Sequence, residues 1–175
     1  SFPGVASLKA QQYYGHPQNH FWKILQAIWP MEVMGADYQK RCEWLLSKQL
    51  GIWDVYASCE REGSLDTSIR NAVLNDFSLL DTLCPGLEAI AHNGGESFKH
   101  SKLAGASLLG AQAAVRRAGP HSASTAPSGS SVLHAVKSVQ VEFYKLPSSS
   151  PANASWSFER KLAAWREVFE KHGLV

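Results

Sequence analysis

The chain has 175 residues, 45% of them hydrophobic, and carries a formal net charge of +2. That length and apolar content suit a single domain over 1–175 with a core of its own and exclude disorder along the whole chain. No apolar run is long enough to span a membrane. The three cysteines, Cys42, Cys59 and Cys84, match neither a disulfide framework nor a zinc or iron–sulfur pattern.

A reducing, intracellular (cytoplasmic) setting fits that cysteine usage, and no signal peptide is visible. The charge is unevenly placed. Between Ser97 and Val141 there is no acidic residue, yet the stretch holds Lys99, Lys102, Arg116, Arg117 and Lys137. Such a stretch is either a face that meets phosphates or chance clustering on a solvated surface.

In chain order, Phe21, Ile24, Leu25 and Ile28 keep the i, i+3, i+4, i+7 spacing of one helix face, with Asn19 placed to cap it and Pro30 to end it. Asp37 heads a second helix with the stripe Tyr38, Cys42, Leu45 and Leu46, stopped by Gly51. Ile52 to Ala57 reads as a strand, Asp66 to Leu83 as short helices, and Leu87 to His92 as a second strand broken by Asn93-Gly94-Gly95. Helical segments are expected near 96–103 and 107–117, then a Gly/Ser/Pro-rich loop over 118–131. A third strand is expected from the alternation in Ser138 to Tyr144. The polar loop LPSSSPANA (146–154) follows, then a last helix striped by Phe158, Leu162, Trp165 and Phe169. Strands separated by helices imply parallel pairing, and ligands of such sheets bind at the carboxyl ends of the strands, which points to Asn93 and the 146–155 loop.

Several chemistries are absent from the sequence. There is no GxSxG elbow, no Walker A loop, no HExxH or HxE…PCxxC zinc signature, and no carboxylate pair of the glycosidase kind. No cofactor and no metal are expected. What stands out instead is SFPG (1–4), HPQNHFW (16–22), REGSLD (61–66), HNGG (92–95) and LPSSSPANA. Each has a plain structural reading, Asn19 and Asp66 as caps and Asn93-Gly94 as a turn among them.

Taken together and in this order, these segments resemble the uracil-DNA glycosylase superfamily, and within it the hypoxanthine-DNA glycosylase branch. HPQNHFWKI is also similar to a stretch of the mismatch-specific uracil glycosylases. The resemblance runs from residue 1 to about residue 165. It implies a three-layer α/β/α sandwich around a short, mainly parallel four-stranded sheet, with the first strand upstream of Ser1.

It also implies roles. Asn19 matches the asparagine tied to catalysis, Phe21 the aromatic that stacks on a flipped base, and Asn93 the strand-end residue that reads the base edge. Phe2, Pro3 and Gly4 occupy the first active-site motif, with Phe2 where another branch has an acid. His16 opens the HPxN stretch beside the base. Ser148, Ser149, Ser150, Pro151 and Asn153 occupy the second motif, with Leu146 where relatives have histidine or asparagine. There the serines meet DNA phosphates, and Pro151 with Asn153 fills the gap left by the flipped base.

The partner so implied is double-stranded DNA, and single-stranded DNA as well, for a monomeric enzyme. The expected substrate is hypoxanthine first, with uracil, xanthine and mismatched thymine open. A uracil or mismatch glycosylase, or a non-catalytic module that binds damaged DNA, are the alternatives. Asn19 cannot deprotonate water, but its carbonyl can aim one at the sugar carbon. Backbone donors near Pro3 and Gly4 would stabilise the departing base.

Overall fold

The computed structural model describes the backbone of residues 1–117 and 140–175, and the side chains of 1–110 and 140–175. The 118–131 loop, the first residues of the expected strand at 138–139, and Lys137 lie outside these residues, as do the side chains of Arg116 and Arg117. Of the remaining basic residues, Lys99 is ion-paired with Glu96 one helical turn away, and Lys102 is exposed.

The fold is α/β. Its helices are α1 (Val5–Ala10), α2 (Phe21–Ile28), α3 (Tyr38–Ser47), α4 (Leu79–Leu83), α5 (Gly95–Phe98), α6 (Ser101–Arg117) and α7 (Phe158–Lys171), and its strands are β1 (Tyr56–Glu60), β2 (Arg70–Leu74), β3 (Ala89–Asn93) and β4 (Glu142–Leu146). Among the described residues the strands form two two-stranded sheets, β1-β2 and β3-β4. In the second, Glu142 N–H donates to Glu88 O at one end and Gly94 N–H to Leu146 O at the other, so β3 and β4 run parallel. The first is antiparallel, pairing Tyr56 with Leu74 and Glu60 with Arg70 across irregular register. β2 lies where the sequence reads as short helices. Arg70 to Val73 are all exposed, so no buried face imposes an alternating pattern there.

The chain divides into two compact units. The larger comprises Ser1–Asn75, Ala91–His100 and Tyr144–Val175. Its core lies where α2 and α7 pack together. Ile24 and Leu25 are fully buried there, each worth ~1.5–3 kcal/mol against exposure. Phe21, Ile28, Trp29, Met34, Leu45, Leu146, Trp165 and Phe169 complete the cluster. Asp37 caps α3 by accepting from Lys40 N–H, and Ser157 caps α7 from Arg160 N–H. The smaller unit, Asp76–Ile90 with Ser101–Phe143, packs α4 against α6, and Phe77, Leu80, Ala104 and Leu108 are buried in it.

Candidate active site

The carboxyl end of β3 builds the centre. Gly94 has φ +107, and a Cβ there would stand 3.1 Å from Ser148 Cβ, so only glycine combines this backbone with so close an approach. The chain thereby turns off the strand beside Leu146 and leaves Asn93 next to the 147–154 loop. Asn93 Oδ1 accepts from Ser149 N–H at 2.8 Å, and Asn93 Nδ2 donates to Ser149 Oγ at 2.8 Å and to Tyr14 Oη at 3.1 Å. Oxygen and nitrogen of the amide are thus both engaged with Ser149, which is 0% exposed. A two-point reading of a base edge needs both ends of that amide. In this geometry the amide keeps for a ligand one Oδ1 lone pair and the N–H now shared with Tyr14.

HPQNHFW forms the second wall. Asn19 N–H closes a turn onto His16 O, and Asn19 Oδ1 accepts from Phe21 N–H at 2.9 Å, which caps the start of α2. A carbonyl oxygen has two lone pairs, so one remains. His20 N–H donates to Ser149 O at 2.9 Å and joins the helix start to the second motif. His16 is exposed, and its Nδ1 accepts from Gln18 N–H within the turn.

Phe21 is core. It is 7% exposed, with Tyr14 stacked on it at 3.9 Å and 18°, and with Trp22 and Trp165 against it nearly perpendicular. A ring so enclosed has no face left for a base. Half-buried Tyr14 is the aromatic that lies at the site's edge. Its backbone is left-handed (φ 55), a conformation held by bonds on either side: Tyr13 Oη to Asp54, Tyr13 N–H to Tyr38 Oη, and Gly15 N–H to Ser7 Oγ. Sequence reading missed Tyr14, since it sits in a turn outside any periodic pattern.

The second motif is organised by its own hydroxyls. Ser148 Oγ accepts from Ser150 N–H and Ser150 Oγ from Ala152 N–H, both at 3.2 Å, which leaves their hydroxyl protons to donate elsewhere. Asn153 N–H donates to Ser150 O, closing a turn with Pro151 second in it. The Asn153 side chain folds inward, donating to Ser148 O and accepting from Ser155 Oγ. The exposed tip is therefore Pro151-Ala152 rather than Pro151 with Asn153. Leu146 is 3% exposed and belongs to the core, so it contributes no base contact.

The first motif is held by REGSLD. Arg61 donates to the carbonyls of Phe2 and Pro3 and lies 5.6 Å from the Phe2 ring, while Ser64 Oγ accepts from Val5 N–H and Ser1 Oγ donates to Asp66. Pro3 has no N–H and that of Val5 is taken by Ser64, which leaves the Gly4 N–H as the candidate donor of this stretch. Asn93, Tyr14, Phe21, Asn19, His20 and Ser149 are joined by direct contacts or along α2. Phe2 and Pro3 are bonded instead by Arg61 of the REGSLD segment.

The centre is electrically neutral near pH 7. Burial pushes the Tyr14 phenol up to about 12, against the bond from Asn93. Burial also lowers the pKa of His20, with Lys161 and Lys23 acting in the same direction. Burial pushes His92, beside Asn93, down to about 4. Among the described residues no cluster of three or more His, Cys, Asp or Glu is placed to hold a metal, and no helix is long and apolar enough to cross a membrane. Amides, hydroxyls and a phenol around an aromatic stack can orient a neutral ligand and stabilise developing negative charge.

No protein-family model matches the chain. The hypoxanthine DNA glycosylase of Methanosarcina barkeri is 38% identical over 103 residues, 59% of this chain and 65% of that protein, just under two thirds of its length. The hypoxanthine DNA glycosylase of Methanosarcina acetivorans is 30% identical over 169 residues, 97% of this chain and 86% of that protein. On a match that runs through nearly the whole chain, this protein belongs to the hypoxanthine DNA glycosylase family.

Proposed function

We propose that this protein is a monofunctional DNA glycosylase that flips a deaminated base, hypoxanthine first, out of DNA and hydrolyses its N-glycosidic bond, the opening step of base excision repair. The observation that carries this reading is the closure of Tyr14, Asn93 and Ser149 at the end of a parallel strand pair, with the Asn19 turn bonded to the same loop. Three segments far apart in sequence meet there around an aromatic ring and neutral polar groups.

The base must leave the duplex before its bond can be reached. Tyr14, backed by Phe21, supplies the stacking surface, worth ~1–3 kcal/mol per base. As the base enters, its O6 replaces Tyr14 Oη as acceptor for the outer N–H of Asn93, while the Ser149 bonds stay. An exocyclic amino group in place of O6, as in adenine, sets donor against donor. Xanthine O6 and uracil O4 satisfy the same N–H, so pocket shape decides among them. The sugar becomes oxocarbenium-like as the bond breaks. Asn93 and Gly4 N–H stabilise the negative charge that gathers on the base, and the free lone pair of Asn19 Oδ1 holds water towards the sugar carbon. Among the described residues no lysine amine joins the Tyr14, Asn93 and Asn19 cluster, in keeping with hydrolysis rather than strand cleavage. The hydroxyls of Ser148 and Ser150 face phosphates.

The test is release of the base from labelled duplexes and single strands carrying hypoxanthine, xanthine, uracil, mismatched thymine or a normal base. Release of hypoxanthine fastest, without strand scission, is the expected result. Binding without release from any lesion would instead make the protein a damaged-DNA-binding module.

A further inference from the structure

Lys161 is a basic residue on a buried stripe. Phe158, Lys161 and Trp165 follow helical spacing along α7, and Lys161 is 1% exposed. Among the described residues its only hydrogen-bond acceptor is Ser150 O, at 3.3 Å, and no carboxylate of these residues stands within ion-pair reach of it. The same oxygen accepts from Asn153 N–H, so Lys161 grips the turn whose tip is Pro151-Ala152. His20, bonded by its backbone to Ser149 O, lies near enough to feel the charge, and burial keeps it neutral.

A buried ammonium with a single long bond and no counter-charge is costly, and an apolar residue of its length would fill the same space at lower cost. The Ser148 and Ser150 hydroxyls on this turn accept from backbone N–H groups and have protons left to donate. A phosphate held by them would face Lys161 across one layer of chain, where water screens little. We propose that Lys161 is a positioning residue of the second motif, which fixes the Ser150 turn from behind and takes a DNA backbone phosphate docked on Ser148 and Ser150 as its counter-charge. This rests on the glycosylase reading for its ligand, though not on which base is excised. It also accounts for an otherwise unfavourable burial, which burial itself reflects by lowering the Lys161 pKa.

The test compares wild type with Lys161→Met, binding an undamaged duplex and a duplex with a stable abasic-site analogue across a salt series. A lost phosphate interaction lowers the slope of log affinity against log salt by about one. The expected result is that change on both duplexes, with roughly tenfold weaker binding at low salt and a melting temperature held or raised. A packing strut would behave oppositely: the melting temperature would fall and the slope would stay. An unchanged slope overturns the proposal whichever way the melting temperature moves. If Lys161→Met does not fold, Lys161→Gln, which keeps an N–H for Ser150 O and drops the charge, is read by the same slope. Wild type that binds no DNA would overturn the glycosylase reading and this proposal together. Wild-type binding with an unaltered slope in the variant overturns this one alone.

Discussion

At Asn19 one oxygen serves both the helix and the proposed reaction, and the two tasks separate by substitution. Serine also caps a helix start, but its oxygen sits closer to the backbone than an amide carbonyl. Asn19→Ala is expected to cost about 1 kcal/mol of stability and about a hundredfold in single-turnover release. Asn19→Ser is expected to recover the stability and not the rate, as urea melts and rapid-quench assays would read. Recovery of both would make Asn19 a cap alone. Asn93→Asp isolates the proposed donor. A carboxylate still accepts from Ser149 N–H and Oγ–H, so the loop stays clamped, but it has no N–H for O6 and repels a departing anion. Release should fall at least about a hundredfold while affinity for abasic-site DNA is kept; equal loss of both would assign Asn93 to the loop alone. The positions of Asn19, Asn93 and the serines at a helix start, a strand end and a loop were legible from the sequence, because strand ends and helix starts have local signatures. The covering of Phe21 was not, because which of two neighbouring rings is enclosed depends on Trp165, more than a hundred residues away.

Among the elements, α2, α3 and α7 were legible from their apolar stripes, α2 and α3 also from their start residues, though α3 ends at Ser47, ahead of the expected stop at Gly51. The ends of β1 and β4 were misjudged by a few residues. β2 was missed, since an exposed, irregular strand has no pattern to read. Lys161 had a signal that went unused, a charge set on the apolar side of α7. The second-motif loop was recognised by composition, but which residues form its tip depends on where Asn153 turns. Glycines at Pro151 and Ala152 should slow cleavage of well-paired lesions more than of lesions in single strands, because a wedge matters most where flipping is hardest. Some loss on both substrates is expected from added chain entropy. The ratio of the two rates is the measurement, and a ratio equal to wild type would place the wedge elsewhere.

For the molecule as a whole, stability should depend on pH through His92. Its folded pKa of about 4 lies below the ordinary 6.5. The unfolded chain therefore takes up the proton first, and stability is lost as pH falls from 6.5 towards 4. The loss between pH 7 and 5 is expected to be about 2 kcal/mol, with His20, whose pKa is lowered by burial and nearby lysines, acting in the same direction. Urea unfolding at the two pH values checks it. His92→Gln should flatten most of the difference, and a variant with the same pH dependence would shift the cause to other groups.

The bond from the Ser149 amide to Asn93 has a kinetic consequence. Most protected amide protons of a folded chain are held by another main-chain oxygen, and so report the opening of a helix or a sheet. This one is held by a side chain 56 positions earlier, on a residue fully shielded from water. Its exchange with deuterium is governed by that single contact. A lesion that entered and left Asn93 bonded to Ser149 would keep the proton slow, whereas one that pulled the amide away would release it. A single backbone signal thus distinguishes a preformed cavity from one that remodels as the base arrives.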